Sequence, residues 1–148
     1  MTQPSGPETP AGPLRGKHYT SPEIVVSYDA PRCIHARACV EGLPQVFDPA
    51  VRPWIRPDQA PAALLFEVVT RCPSGALHAL LSAGEAEQPR RPTSITPLPN
   101  GPLAIRGDLS ISTPQGEQQE VRATLCRCGA SGNKPFCDGT HVRIGWQG

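Results

Sequence analysis

The sequence predicts an α+β protein made of two small units joined by a polar linker. Apolar residues recur at helical spacing over residues 61–71, whereas they alternate with polar residues in the last third of the chain. The six cysteines form two groups of three, one on each side of a polar stretch. Nineteen prolines and fourteen glycines among 148 residues indicate many turns and a small core, so we expect metal sites to hold each unit together.

The N-terminal unit is predicted over residues 18–82, and the Pro- and Gly-rich residues 1–17 before it are expected to be a disordered tail. A β-prone run at residues 24–28 predicts a strand. A helical turn should follow Cys33 and stop at Gly42. Two short extended segments, set off by prolines, are expected after it, at residues 46–49 and 53–57.

Residues 61–71 are the clearest helix, because a proline occupies the first turn and apolar residues follow at helical spacing. The predicted core face consists of Leu64, Leu65, Val68 and Val69. Two histidines outside the cysteine groups, His18 and His78, have no partners in the sequence and are predicted to be exposed.

Residues 83–94 are predicted to be the linker, and residues 95–148 the C-terminal unit, which is rich in β-structure. The period of the apolar residues changes to two here, and a turn is expected at residues 114–116. This pattern predicts three short strands. The last of them, ending at residue 125, leads directly into the second cysteine group.

Three cysteines and one histidine in that group fall within sixteen residues at the spacing C-x-C-x8-C-x3-H: Cys126, Cys128, Cys137 and His141. Donors of this kind, so close in sequence, are typical of a metal centre. The Asp138-Gly139 turn lets the chain return His141 towards the sulfur atoms. The spacing alone leaves both an iron–sulfur cluster and a Cys3His zinc site open.

The same stretch resembles the signature of the CDGSH (NEET) iron–sulfur family. The fixed positions of that signature are occupied by Cys126, Cys128, Ser131, Pro135, Cys137, Asp138, Gly139, Thr140 and His141. The resemblance implies a 2Fe–2S cluster with Cys126 and Cys128 on one iron, and Cys137 and His141 on the other. It also implies that Ser131 and Asp138 fix the loop around the cluster. Because CDGSH proteins with one motif per chain are intertwined homodimers, it implies a homodimer.

The first cysteine group, Cys33, Cys39 and Cys72, resembles a single-cluster bacterial ferredoxin and the divergent ferredoxin-like domain sometimes fused to CDGSH domains. The usual middle cysteine is replaced by Ala36, which leaves two interpretations. The favoured one is a 3Fe–4S cluster on the three cysteines. The alternative is a 4Fe–4S cluster completed by another ligand, for which His35 is the nearest candidate. A histidine on the surface, or one that only contacts a ligand, is favoured over ligation for His35.

Composition argues against several functional classes. The net charge is +1, and there is no interleaving of basic and aromatic residues, so nucleic acid is not an expected partner. No apolar run is long enough to span a membrane, and no secretory signal is visible, so cytoplasmic localisation is expected. Cysteines stay reduced there, which disfavours three disulfides. Because no catalytic motif or acid–base pair is recognisable, we do not expect an enzyme.

The leading hypothesis is a one-electron carrier with two unlike clusters, acting with a redox partner protein. A histidine ligand donates less charge than a thiolate, so His141 should raise the reduction potential of the 2Fe–2S centre. Protonation of its free nitrogen would make the potential depend on pH. The alternative is a cluster donor to an apo-protein acceptor, or a redox or pH sensor. A third interpretation is an interaction module held together by zinc.

Overall fold

A computed structural model describes residues 14–148 of the chain. The tail predicted over residues 1–17 lies mostly outside the described residues, and its last residue, Lys17, begins the first strand. The strands are β1 (Lys17–Thr20), β2 (Ile24–Tyr28), β3 (Leu77–Leu81), β4 (Ser94–Pro97), β5 (Leu103–Thr113) and β6 (Gly116–Leu125). The helices are α1 (Ala38–Gly42), α2 (Ala62–Val69) and α3 (Thr140–Arg143), with short 3-10 helices at Ala30–Arg32 and Pro57–Gln59. The fold is mixed α and β, with two antiparallel three-stranded sheets.

The first sheet has the order β1-β2-β3, and α2 packs on it. Three residues of α2, Leu65, Val68 and Val69, are buried against this sheet. The prediction of Leu64 as a core residue is wrong, since 42% of it is exposed. One residue along a helix is a rotation of about 100°, so the single sheet beneath α2 covers the face of Leu65 and leaves Leu64 outside.

Two strands of this sheet, β1 and β3, have no counterpart among the predicted elements. β3 pairs with the central strand β2 over its full length and follows directly from the loop that contains Cys72.

The two extended segments predicted after α1 are present as a bridge between Phe47 and Ile55, both of which are buried. The adjacent Trp54 packs edge-on against Tyr28 at a ring separation of 4.9 Å.

The second sheet has the order β4-β5-β6. The predicted strand that ends at residue 125 is present as β6, whereas β4 was not predicted. The other two predicted strands, around residues 103–105 and 109–111, are wrong as separate strands: they form the single strand β5, and the register with β6 shifts between Arg106 and Leu109. This shift marks a bulge at Gly107, whose Cα lies against the side chain of Thr93. The hairpin places the end of β6 beside the loop of the second cysteine group.

One strand joins the two units. Four consecutive residues of β6, from Val121 to Thr124, are buried, together with Glu120 before them. The charged side chains among them, Glu120 and Arg122, contact residues of the N-terminal unit. His78 of β3 is 2% exposed and faces Glu120, so the prediction that His78 is exposed is wrong. A buried carboxylate on a distant strand gives it the partner that the local sequence lacks.

Candidate metal centres

The second cysteine group lies in a loop that folds back on the end of β6. The backbone N–H of Cys126 donates to the carbonyl of Pro135 at 2.8 Å, and the N–H of Cys137 donates to the carbonyl of Thr124 at 2.8 Å. These two bonds close the loop, so cysteines that are eleven positions apart return to the same end of the strand. The single turn of α3 then carries His141 onto the same side.

The four predicted ligands meet as two pairs. The Sγ atoms of Cys126 and Cys128 are 3.9 Å apart, and the Sγ of Cys137 is 3.4 Å from Nδ1 of His141. Two thiolates on one tetrahedral metal, with metal–sulfur bonds of ~2.3 Å, lie about 3.8 Å apart. Each of the two pairs is therefore spaced to hold one metal atom.

Backbone N–H groups surround these sulfur atoms. Gly129 donates to the Sγ of Cys126 at 3.2 Å, and Gly139 donates to the Sγ of Cys137 at 3.4 Å. Burial would raise the pKa of the Cys126 thiol, but the N–H groups of Ser131 and Gly129 outweigh it and lower that pKa. Burial dominates at Cys137 and raises its pKa. The N–H groups favour the thiolate that binds metal.

Ser131 and Asp138 brace the loop from inside. The Oγ of Ser131 donates to the carbonyl of Phe136 at 2.6 Å and accepts from the N–H of Asn133 at 3.0 Å. The Asp138 carboxylate accepts from the N–H of Gly132, and from both the N–H and the hydroxyl of Thr140. The hydroxyl bond is the main reason that the pKa of Asp138 falls to about 2. Both side chains thus hold the loop through hydrogen bonds to its own backbone.

Arg127, between the first two ligands, is a residue that sequence analysis missed. Its guanidinium donates to the carbonyls of Gly101 and Leu98, at 2.8 and 2.9 Å, and stacks on the Trp146 ring at 4.9 Å. It therefore ties the cluster loop to the connection between β4 and β5. The position of a charged residue between two ligands in the sequence was a signal that it fixes the loop. Its hydrogen-bond partners could not be recognised, because they lie 26 and 29 positions away in the sequence.

The first cysteine group comes together from three elements. Cys33 follows the first 3-10 helix, Cys39 lies in α1, and Cys72 follows α2. All three are free thiols, as are the other cysteines, and they line one cavity together with Ala36. Burial, followed by the charges of Cys72 and Cys33, raises the pKa of Cys39 to about 11. The structure thus brings together three thiols, although Cys33 and Cys72 are 39 positions apart in the sequence.

His35 lies at the rim of this cavity. Its Nδ1 is 3.9 Å from the Sγ of Cys33, and its backbone N–H donates to the same sulfur at 3.4 Å. His35 and Arg37 have φ angles of 58° and 66°, in the left-handed region. Such backbone costs about 1–3 kcal/mol at a residue other than glycine and concentrates at functional sites. The side chain is exposed, as predicted for a surface histidine, yet it points towards a thiol.

The loop after Cys72 is held by two arginines that sequence analysis did not select. Arg122 of β6 donates from Nη1 to the carbonyl of Cys72, and from Nη2 to the carbonyl of Leu77 at 2.9 Å. Arg32 donates to the carbonyl of Ser74 at 2.9 Å. Gly75 in this loop has φ +76° and lies against the backbone of Arg122. The C-terminal unit therefore supports the backbone of the N-terminal site.

Both arginines are paired with carboxylates, of which Glu120 is buried and Glu87 is 14% exposed. Glu120 contacts Arg32 in an ion pair, and its Oε1 lies 2.9 Å from Nε2 of His78. Arg122 forms its ion pair with Glu87, which belongs to the predicted linker, at 2.7 Å. Burial acts to raise the pKa of Glu120, but the hydrogen bond and charge of His78, followed by those of Arg32, lower it overall. The boundary between the units is thus a largely buried ionic network that reaches the surface at Glu87 and Arg15.

None of the helices within residues 14–148 has the length and apolar composition needed to cross a membrane.

Comparison with known proteins gives two domain matches. Residues 19–82 match the family described as a divergent 4Fe-4S mono-cluster, and residues 100–142 match the iron-binding zinc finger of CDGSH type. The first match agrees with the 4Fe–4S alternative rather than with the favoured 3Fe–4S interpretation. The uncharacterized protein YjdI of Escherichia coli strain K12 is 39% identical over 59 residues, which are 40% of this chain and 78% of that protein. YjdI of Escherichia coli O157:H7 matches with the same values. The chain therefore belongs to the divergent 4Fe-4S mono-cluster family and carries, in its C-terminal half, a CDGSH-type iron-binding domain.

Proposed function

We propose that this protein is a one-electron carrier, and not an enzyme, that holds a 4Fe–4S cluster in its N-terminal unit and a 2Fe–2S cluster in its C-terminal unit. The observation that carries the proposal is the presence of two separate donor sets in one small fold, the second of them arranged as two metal-binding pairs. Iron–sulfur clusters accept and release single electrons, and their protein ligands set the potential.

In the C-terminal unit, Cys126 and Cys128 would hold one iron, and Cys137 and His141 the other. The imidazole donates less charge than a thiolate, so this site should have a higher potential than an all-cysteine 2Fe–2S site. The N–H groups of Gly129 and Gly139 act in the same direction, because a hydrogen bond to sulfur stabilises the more negative, reduced state.

In the N-terminal unit, Cys33, Cys39 and Cys72 would hold three irons, and we propose His35 as the ligand of the fourth. Its Nδ1 lies near the Sγ of Cys33, and the left-handed backbone at His35 turns the ring towards the cavity in which a fourth cysteine is missing. The 3Fe–4S cluster remains the competing assignment. It needs no ligand at His35 and would leave that ring free.

Anaerobic EPR of the full chain, before and after dithionite reduction, tests both sites when combined with iron, sulfide and zinc analysis. We expect about six irons per chain if a 4Fe–4S and a 2Fe–2S cluster are both present. An EPR signal in the oxidised sample would assign 3Fe–4S to the N-terminal site. A colourless protein containing zinc would overturn the proposal and favour the zinc-held interaction module.

The His35 assignment has a matched control in His18, which is exposed on β1. His35→Cys should retain the 4Fe–4S cluster with a lower potential, because a thiolate replaces an imidazole. His35→Ala should lose the fourth iron and convert to 3Fe–4S, whereas His18→Ala should match the unmodified protein. Unchanged iron content and potential in His35→Ala would remove His35 from the ligand set.

A second candidate function is cluster donation to an apo-protein, or sensing. It is favoured by the position of the Cys137–His141 pair next to the exposed apolar residues Val142 and Ile144, which are 72% and 54% exposed. A partner protein could cover these residues and take the cluster from that side, or a second copy of this chain could cover them in a homodimer. Rapid delivery of the 2Fe–2S cluster to an apo-ferredoxin would support donation. Retention through many redox cycles would support electron transfer.

A further inference from the structure

Arg32 and Phe136 touch each other. Each immediately precedes a predicted ligand, Cys33 in the N-terminal site and Cys137 in the C-terminal site. The guanidinium carbon of Arg32 lies 4.2 Å from the centre of the Phe136 ring. Arg32 is 2% exposed and Phe136 4% exposed, so water does not enter between them. The backbone segments at Cys33 and Cys137 are therefore joined through the packed side chains of Arg32 and Phe136.

This contact is fixed by several bonds rather than formed by two mobile side chains. The Arg32 guanidinium is bound by the Glu120 carboxylate and by the carbonyl of Ser74. The Phe136 carbonyl accepts from Ser131, and Phe136 pairs with Leu125 in a bridge to β6. A cation held over an aromatic face adds attraction that is strongest when both are desolvated.

Two further contacts join the units near this point. The Nδ2 of Asn133 donates to the carbonyl of Pro31 at 3.4 Å, one residue before Arg32 and three residues before Phe136. The Arg122 bond to the Cys72 carbonyl links the strand that leads into Cys126 to a second ligand of the N-terminal site. These contacts hold the two loops together beside a polar pocket of about 140 Å³ that Arg32, Asn133 and Phe136 line.

We propose that the two clusters of one chain exchange a single electron across the Arg32–Phe136 contact. This inference rests on the proposed function, because it requires a cluster at each site. One electron leaves the reduced cluster, which is oxidised by one unit, and enters the other, which is reduced by one unit. No proton or ligand changes place. A one-electron reductant such as dithionite supplies the first electron.

The physical reason is distance. Electron exchange weakens steeply as the gap between two centres grows, and it is favoured by closely packed atoms over water. The contact between Arg32 and Phe136 would provide a continuous path through protein atoms between the two ligand loops of one chain. A collision between two chains would instead have to bring both clusters close from outside.

The test is rapid partial reduction of the fully loaded chain, with the two clusters followed by their separate visible absorption. We expect the electron to redistribute at a rate that does not change when the protein is diluted. A rate proportional to protein concentration would overturn the inference.

Phe136→Leu should slow the redistribution several-fold. Phe66→Leu, at a partly buried position on α2 away from this boundary, should not.

EPR of the unmodified protein with both clusters paramagnetic provides a readout that needs no variant. Two spins joined through this contact should broaden or split each other's signal, and the effect should vanish in Cys72→Ala, which breaks the N-terminal site. Unperturbed, additive signals would overturn the inference while leaving a two-cluster carrier standing. Absence of iron from either site would overturn the carrier and the inference together.

Discussion

The two metal sites of this protein are built in different ways. The C-terminal site is contained in one loop of sixteen residues that Ser131 and Asp138 brace from within. The N-terminal site draws its thiols from three elements, and its last loop is held by Arg122 of the other unit. Within the C-terminal site, neighbouring N–H groups lower the pKa of Cys126, whereas burial raises that of Cys137. In the N-terminal site, burial and the other thiols raise the pKa of Cys39 to about 11.

This difference implies that the N-terminal site depends on the C-terminal unit for its shape, whereas the C-terminal site does not depend on the N-terminal unit. A loop closed by its own hydrogen bonds can keep its shape when a neighbour is disturbed, whereas a loop supported across a boundary cannot. We therefore expect the N-terminal cluster to be lost first whenever the boundary between the units is weakened. Reversed or equal sensitivity of the two clusters would refute that expectation.

The largest effect is expected for Arg122→Met. The substitution removes the guanidinium that pairs with the carboxylate of Glu87 and donates to the carbonyls of Cys72 and Leu77. Removing one partner of a buried ion pair costs about 3–5 kcal/mol. Denaturant unfolding should show that loss, and iron analysis should show the 4Fe–4S site depleted before the 2Fe–2S site.

The control for Arg122 is Arg91→Met. Arg91 also pairs with a carboxylate, Asp108, but both side chains are more than half exposed. Exposed pairs contribute little to stability, so this variant should unfold like the parent protein and keep both clusters. A loss similar to that of Arg122→Met would show that charge removal alone, and not the buried position, is responsible.

Gly75→Ala is expected to have the next largest effect. Gly75 has φ +76°, and an added Cβ would collide with the carbonyl oxygen of Arg122 and lie 2.7 Å from Nη2 of Arg32. The matched control is Gly84→Ala, because Gly84 has φ +93° but nothing within 4 Å of an added Cβ. Both variants carry left-handed strain of about 1 kcal/mol or more. Any additional loss of stability and of N-terminal cluster in Gly75→Ala therefore measures the collision at the boundary.

The boundary also predicts a response to acid. The folded pKa of Glu120 is lower than its ordinary value of 4.5, because His78 and Arg32 outweigh burial. A carboxyl with a depressed folded pKa stabilises the fold fully above its unfolded pKa and loses that contribution as the pH falls through the folded pKa. Arg15, Arg32, His78 and Arg122 are the cationic or titratable groups around it. Stability should therefore decrease as the pH falls below about 4.5.

Unfolding free energy measured against pH, in the unmodified protein and in Glu120→Gln, tests this prediction. The variant should be less stable at neutral pH and should show a shallower decrease in acid, since it has no carboxyl to protonate there. Glu117→Gln is the control. Glu117 lies on the same strand, and its pKa is also lowered, by hydrogen bonds from Ser110 and Ser112, but it is exposed. An unchanged acid response in Glu120→Gln would remove Glu120 as its source.

The two sites also differ in how much of each could be predicted from the sequence. The C-terminal donors are close in sequence, and their pairing depends on local turns, so their spacing was informative. The N-terminal thiols could be selected, but their support could not, because Arg122 appeared only as a polar residue of an alternating strand. His78 was misjudged for the same reason. Its partner, Glu120, is 42 positions away and becomes a neighbour only when the two units pack together.

The smallest predicted effect tests the self-contained character of the C-terminal site. Asp138→Asn replaces one of the carboxylate oxygens that accept from Gly132 and Thr140, and so loosens the turn that carries His141. Because Asp138 is only partly buried and asparagine keeps one acceptor oxygen, the cost in unfolding free energy should be small, about 1 kcal/mol. Release of the 2Fe–2S cluster, followed by its visible absorption, should nevertheless be several-fold faster, while the N-terminal cluster is unaffected. Asp108→Asn, on the exposed face of β5, should alter neither cluster. Faster loss of the N-terminal cluster in Asp138→Asn would show that strain passes from the second site to the first, and that the dependence between the sites runs in both directions.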